Sequence, residues 1–187
     1  MIREKKPKVM VEVGAGDTTK ISLNALGMNE REGTPYKFYS IEPYPREDIL
    51  ALNNSNFELI RRKLQAVSID LLSSADLLLI DSSHVSKINS DVNYEILEII
   101  PKLQVDSIVH WHDIVMPTNY WKEWINDGNM FWNESYMVHA FMLFNESFKI
   151  IWASRYMQLN HFAKLRDHFP YLNNNHHLMS FWIQRVK

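Results

Sequence analysis

Apolar runs and stretches of helical period alternate along the first 113 residues. The runs fall at residues 8–13, 36–41, 57–60, 76–80 and 107–111. They close on Gly14, on Glu42-Pro43, on Ile60, on Asp81 and on His112-Asp113. Short, near-continuous apolar runs suit strands covered on both faces of a parallel sheet. Between them, residues 18–26 carry a helix period and stop at Gly27, which predicts a cap there. Residues 91–103 place Val92, Ile96, Ile99, Ile100 and Leu103 on one stripe, with Asn89 or Ser90 as N-cap. This alternation predicts an α/β, doubly wound parallel sheet. Beyond residue 113 the pattern loosens, with a helix at 133–144 and strands at 148–153 and 181–186. Residues 173–177, rich in Asn and His, read as an exposed loop.

Length and composition narrow the class. A chain of 187 residues fits one domain, residues 1–187, with looser segments at 114–140 and 155–178 left for the substrate side. A net charge of −2 gives no strong field to attract nucleic acid or anionic lipid. The absence of cysteine excludes disulfides, thiolate zinc sites and a cysteine nucleophile. The polar start Met1–Lys8 and the Glu12 interruption do not read as a secretory signal. Aliphatic runs such as 77–80 are far shorter than the roughly 20 residues of a membrane helix. The expectation is a soluble, cytoplasmic protein with a small-molecule substrate, no nucleic-acid or membrane partner, and nothing to exclude a homo-oligomer. Twelve of the 23 aromatic residues lie between Trp111 and Tyr156, so that stretch packs the late core or walls a pocket.

Ligands of open α/β sheets bind at the carboxyl ends of the strands. The first strand ends Glu12-Val13-Gly14-Ala15-Gly16-Asp17-Thr18-Thr19, and its two glycines let the backbone approach a ligand. Glu42 ends the second strand, where an acid can accept both hydroxyls of a ribose. A dinucleotide fingerprint requires a third glycine where Thr19 stands, and Asp17 would repel a pyrophosphate at the helix start. An acidic rim of Glu12, Asp17 and Glu42 suits a cationic nucleoside instead, a description that S-adenosylmethionine meets. The bland alternative is a tight turn before a solvated helix.

Glu12-Val13-Gly14-Ala15-Gly16 resembles the glycine motif of class I S-adenosylmethionine-dependent methyltransferases. The stretches Leu79-Ile80-Asp81-Ser82-Ser83-His84-Val85, Asp91-Val92-Asn93-Tyr94 and His110-Trp111-His112-Asp113-Ile114 are similar to a bacterial subgroup. That subgroup is related to macrocin O-methyltransferases and cephalosporin hydroxylase-like proteins. The resemblance implies a Rossmann-like, seven-stranded sheet, mostly parallel, with an antiparallel last strand. It also implies that Glu12, Gly14, Gly16, Thr18, Thr19, Glu42, Gln65, Asp81 and Ser82 face the cofactor, with Gln65 at the adenine edge.

Asp81 ends the fourth run and His112-Asp113 the fifth. Adjacent strands lie about 4.8 Å apart, so these ends converge. Two carboxylates and an imidazole can hold Mg²⁺ or another divalent cation. Metal-dependent relatives carry acids at the positions of Asp81 and Asp113, and this chain departs from them at His112. In macrocin-type relatives a histidine at the offset of His84 looks like the general base for a hydroxyl, a role that an imidazole suits. Singly, Asp81, Ser82 and Ser83 could cap a turn, and His84 could bond backbone. His110 reads as a satisfied core histidine. Asn119, Tyr120, Trp121 and Glu134 fall on the substrate side.

The chemistry expected is methyl transfer to a sugar-like hydroxyl, assisted by a cation. The competing reading is a silent S-adenosylmethionine-binding subunit of a larger assembly. It draws on the early start of strand one, which leaves no N-terminal helices as a lid. A nicotinamide oxidoreductase is disfavoured by Asp17 and the missing glycine. A nucleic-acid methyltransferase is disfavoured by the balanced charge and the lack of an Asn/Asp-Pro-Pro-Tyr tetrad.

Overall fold

A computed structural model describes residues 1–187. The chain runs α1 (Ile2–Lys5), β1 (Val9–Val13), α2 (Asp17–Arg31), β2 (Lys37–Ile41), α3 (Glu47–Leu50) and β3 (Phe57–Ile60). It continues with α4 (Ile69–Ser73), β4 (Leu77–Ile80), α5 (Asp91–Tyr94), β5 (Ile108–Trp111), α6 (Lys122–Asn126) and α7 (Glu134–Met142). The last elements are β6 (Phe148–Ala153), α8 (Ser154–Asn160), α9 (Phe162–His168) and β7 (Phe181–Arg185). No helix is long and apolar enough to cross a membrane.

All seven strands join one sheet in the order β3-β2-β1-β4-β5-β7-β6. The first five are parallel, and β7 runs antiparallel to both β5 and β6. The chain winds outward from β1 to β3, then crosses back to lay β4 against the other side of β1. That reversal opens a crevice above the carboxyl ends of β1 and β4.

Strand alternation explains two unequal cores. Val11, Val13, Leu78, Ile80, Val109 and Trp111 face the larger one, packed under Val92, Ile96, Ile99 and Ile100. Met10, Phe38, Leu77 and Leu79 face the smaller one, closed by Leu26 of α2. Each such side chain taken from water stabilises by about 1.5–3 kcal/mol. Glu12 and Ser40 share the α2 face, so polar groups are buried there beside the apolar ones.

Two helix expectations change. Gly27 does not end α2, which runs on to Arg31 because Leu26 and Asn29 still face inward. The turn that closes it uses Gly33 at φ +89°, with the Gly33 amide donating to the Glu30 carbonyl. The stripe at 91–103 is continuous but changes pitch: α5 passes into a π-helical turn at Glu95–Ile99 and a 3-10 turn at Ile100–Lys102. Ser90 is the N-cap, its hydroxyl accepting from the Asn93 amide at 3.2 Å, while Asn89 precedes it at φ 58°.

Candidate functional site

The crevice above β1 and β4 has a volume of about 570 Å³ and is lined mainly by polar and charged residues. Gly14, Glu42, Gln65, Asp81 and Ser82 all line it. Gly14 is at φ +88°, and a Cβ there would lie 1.9 Å from the Asp81 carbonyl oxygen, so β1 can meet the end of β4 only through glycine. Gly16 has open space where its Cβ would stand, so nothing within the chain requires glycine there. Glu42 Oε1 accepts from the Tyr44 amide at 2.8 Å, and its other oxygen has no partner in the chain. Gln65 Nε2 donates to the Asn89 carbonyl at 3.1 Å.

The expected acidic rim is a different object in three dimensions. Glu12 lies beneath the turn, wholly buried, because its position on β1 points toward the start of α2. Its carboxyl accepts from Thr18 at 3.0 Å, Thr19 at 2.6 Å and Ser40 at 2.7 Å. Burial is the strongest influence on it and pushes its pKa up to about 7, against those hydroxyls. Thr19 Oγ1 also accepts from the Gly16 amide at 2.9 Å, which locks the turn. Glu12, Thr18 and Thr19 thus turn their polar side-chain atoms to one another and brace the turn, and none of the three lines the crevice. Asp17 is on the outside, paired with Arg46 at 2.9 Å and Lys20 at 3.4 Å. Lys63 and Lys87 join the lining, so the wall carries both signs.

Asp81 belongs to the crevice and to a second constellation at the ends of β4 and β5. Asp81, His112 and Asp113 bring one donor atom each to within 4.8 Å of the others. His112 Nδ1 lies 2.9 Å from Asp113 Oδ1 and 3.8 Å from Asp81 Oδ1. Neither approach has hydrogen-bonding geometry, and this buried nitrogen is left without a partner. Asp113 adopts φ 58°, a conformation uncommon outside glycine and the short polar residues. An orphaned imidazole nitrogen between two carboxylates is a donor set that fits a divalent cation.

His84 sits behind this group at φ 58° and is 6% exposed. Its Nδ1 is 2.8 Å from Glu134 Oε2, and its Nε2 is 3.4 Å from Asp81 Oδ1 and 3.6 Å from Asp113 Oδ2. Trp132 covers the ring at 4.2 Å between centroids. The Asn133 and Glu134 amides donate to its carbonyl at 3.0 and 3.2 Å. Burial opposes a charge on the ring, but Asp81 and Glu134 outweigh it and push the pKa up to about 10. His84 therefore stands among three carboxylates, Asp81 and Asp113 on the Nε2 side and Glu134 on the Nδ1 side. Burial likewise acts to raise Asp81, but His84 and His112 prevail and hold its carboxyl below the usual range. Asp113 beside His112 raises that imidazole.

Other expectations shift with burial. His110 is only half satisfied: Nε2 meets Ser180 Oγ at 2.8 Å, Nδ1 has no partner, and the ring stacks on Trp182 at 4.1 Å. Burial drives its pKa down to about 3, so it is neutral. Glu134 is wholly buried against His84, and Tyr120 is nearly so, its hydroxyl accepting from the Ser135 amide at 3.1 Å. Asn119 is exposed, and Trp121 lies under the Arg155 guanidinium at 5.1 Å. Ser82 Oγ donates to Glu95 Oε2 at 3.3 Å. Glu95 is a fully buried acid that the motifs do not announce, although it falls three residues after Val92 on the inward helix stripe.

Comparisons with known proteins agree with this arrangement. A family model described as a methyltransferase domain matches residues 11–114. No curated protein matches the sequence. Among solved structures, the plantazolicin methyltransferase BpumL in complex with SAH is 14% identical, with a TM-score of 0.55 over 97% of this chain and 77% of that one. The same enzyme with a pentazolic desmethylPZN analog and SAH gives 12% identity and a TM-score of 0.56 over 97% and 77%. An apo-structure of CmcI gives 14% identity and a TM-score of 0.51 over all of this chain and 68% of that one. At these identities the likeness is one of fold.

Proposed function

The chain belongs to the methyltransferase-domain family, and from that premise we propose that it methylates an oxygen of a small molecule, using S-adenosylmethionine. One observation carries the reading: Asp81 lines the nucleoside-sized crevice and also belongs to the Asp81, His112, Asp113 group, so cofactor and acceptor would meet at one residue. The solved neighbours that hold SAH support the choice of cofactor.

S-adenosylmethionine would supply a methyl group on a sulfonium. In the transfer the S–CH₃ bond breaks as an O–CH₃ bond forms. S-adenosylhomocysteine, a methyl ether and the hydroxyl's proton are the products. Glu42, with an oxygen uncommitted within the chain, would accept the ribose hydroxyls, and Gln65 stands at the adenine end. Gly14 keeps the floor low. Asp81 would place negative charge near the sulfonium. A divalent cation held by Asp81, His112 and Asp113 would lower the acceptor hydroxyl's pKa and orient it. The chain's own task is then mainly positioning: an acceptor oxygen held in line with the methyl group gains most of its rate from that placement. The acceptor is a hydroxyl compound, sugar-like in the reading that the sequence supports.

Isothermal titration with S-adenosylmethionine, in Mg²⁺ and again in EDTA, tests the proposal. Binding in both buffers is expected. Glu42→Ala should weaken it by about 10- to 100-fold, the worth of a charged hydrogen bond. Absence of binding to the wild-type chain would overturn the reading.

A further inference from the structure

We propose that an apolar cavity between α7, β6 and α8 holds the uncharged hydrocarbon body of the acceptor, whose hydroxyl alone reaches the Asp81, His112, Asp113 group. This inference rests on the methyl-transfer reading above and makes the acceptor an amphiphile.

The cavity has a volume of about 550 Å³, within the roughly 300–1,000 Å³ of small-molecule sites, and ten of its twelve lining residues are hydrophobic. Besides β6 and β7, its walls come from segments outside the sheet: Met116 follows β5, Met142 ends α7 and Met157 lies on α8. Arg155 Nε donates to Thr118 Oγ1 at 3.4 Å and so ties α8 to the turn after β5. No Asp, Glu, Lys or Arg side chain lines the cavity. Trp152 has its indole N–H committed to Ser154 Oγ at 2.7 Å, which leaves His139 and the Tyr156 hydroxyl as the polar side-chain groups on offer. Such a lining opposes entry of a charged group and favours hydrocarbon. Leu143 and Ile150 at the rim are 55% and 53% exposed, apolar surface that a ligand would cover.

The place of the cavity points to what enters it. Phe181 on β7 lines it and pairs in register with Trp111 on β5, about 5 Å away between Cα atoms. His112 and Asp113 directly follow Trp111, and Met116 stands three residues beyond Asp113. Ala153 continues the same row on β6. The cavity therefore lies at the carboxyl edge of the sheet, beside the strand end that carries the cluster. The crevice on the other side of Asp81 is lined mainly by polar and charged residues, so the two spaces accept opposite chemistries. A cofactor in the crevice and a hydrocarbon body in the cavity leave the hydroxyl between them, at Asp81, His112 and Asp113. Burial of the body supplies affinity, and the two anchored ends place the oxygen.

Two probes that share a hydroxyl head and differ in their hydrocarbon test this: methyl β-D-glucopyranoside and n-octyl β-D-glucopyranoside, the latter kept below its micelle concentration. Each is titrated by calorimetry into the full chain with S-adenosylhomocysteine present. Each buried methylene is worth roughly 4-fold in affinity, so the octyl compound should bind at least ~100-fold more tightly. Met157→Lys and Ile150→Lys each put a charge into the cavity and should remove that advantage, with S-adenosylmethionine affinity unchanged. Ile150 is half-exposed, so its substitution leaves the fold in place. Equal affinity for the two glucosides, or an octyl advantage that survives both variants, would overturn the inference while S-adenosylmethionine binding kept the functional reading standing. Sedimentation of the wild type as a dimer that Ile150→Lys dissociates would give the cavity to a second copy of the chain and overturn it too. Octyl binding by a chain that takes no S-adenosylmethionine would overturn the functional reading, and the acceptor role with it.

Discussion

Gly14 and Gly16 look equivalent in a motif and are not equivalent in space. A methyl group on Gly14 collides with the Asp81 carbonyl at a backbone angle that disfavours side chains, so Gly14→Ala should cost several kcal/mol and cofactor binding together. Gly16→Ala meets nothing in the chain, so its melting temperature should stay near that of the wild type while S-adenosylmethionine affinity falls. Thermal melts paired with cofactor titrations separate the two. Glu12 gives a pH signature. Folded, it keeps its proton up to about pH 7; unfolded, it releases it near its ordinary value of 4.5. Its neutral form therefore contributes stability in full below pH 4.5, and the contribution is lost as pH rises to 7. The span is worth up to about 3 kcal/mol. Glu12→Gln should flatten that part of the stability profile, measured by urea unfolding between pH 4.5 and 8.

Among elements, the strands were the most legible. Near-continuous apolar runs locate β1 to β5 within a residue at each end, because a strand covered on both faces leaves few polar positions. Helix ends were less so. Gly27 reads as a stop from composition alone, but the inward faces of Leu26 and Asn29 carry α2 past it. Gly27→Ala should then stabilise by about 0.5–1 kcal/mol, as expected for an ordinary helix position, whereas Gly33→Ala should destabilise. Chemical denaturation of the pair distinguishes a true cap from a tolerated glycine. Ser90→Ala should cost about 1 kcal/mol, since its hydroxyl serves the amides of Asn93 and Lys87.

At the scale of the molecule, sequence order is a poor guide to which polar side chains share a space. Asp81, His112 and Asp113 were legible because all three terminate central strands, and the topology brings those ends together. Glu12 was misplaced because the direction of one side chain on a doubly covered strand depends on register, not on residue type. The contact between Glu134 and His84 is not legible, because 50 residues separate the two and only folding sets the carboxyl against that ring. The crevice and the Asp81, His112, Asp113 group share Asp81, so a cofactor's methyl group and a cation bound there should lie close together. The direct measurement is nuclear relaxation of S-adenosylmethionine, ¹³C-labelled at the methyl group, bound to the chain with Mn²⁺ or with diamagnetic Mg²⁺. Mn²⁺ should broaden the methyl signal far more than those of the adenine ring. Equal broadening, or none with cofactor and metal both bound, would contradict it.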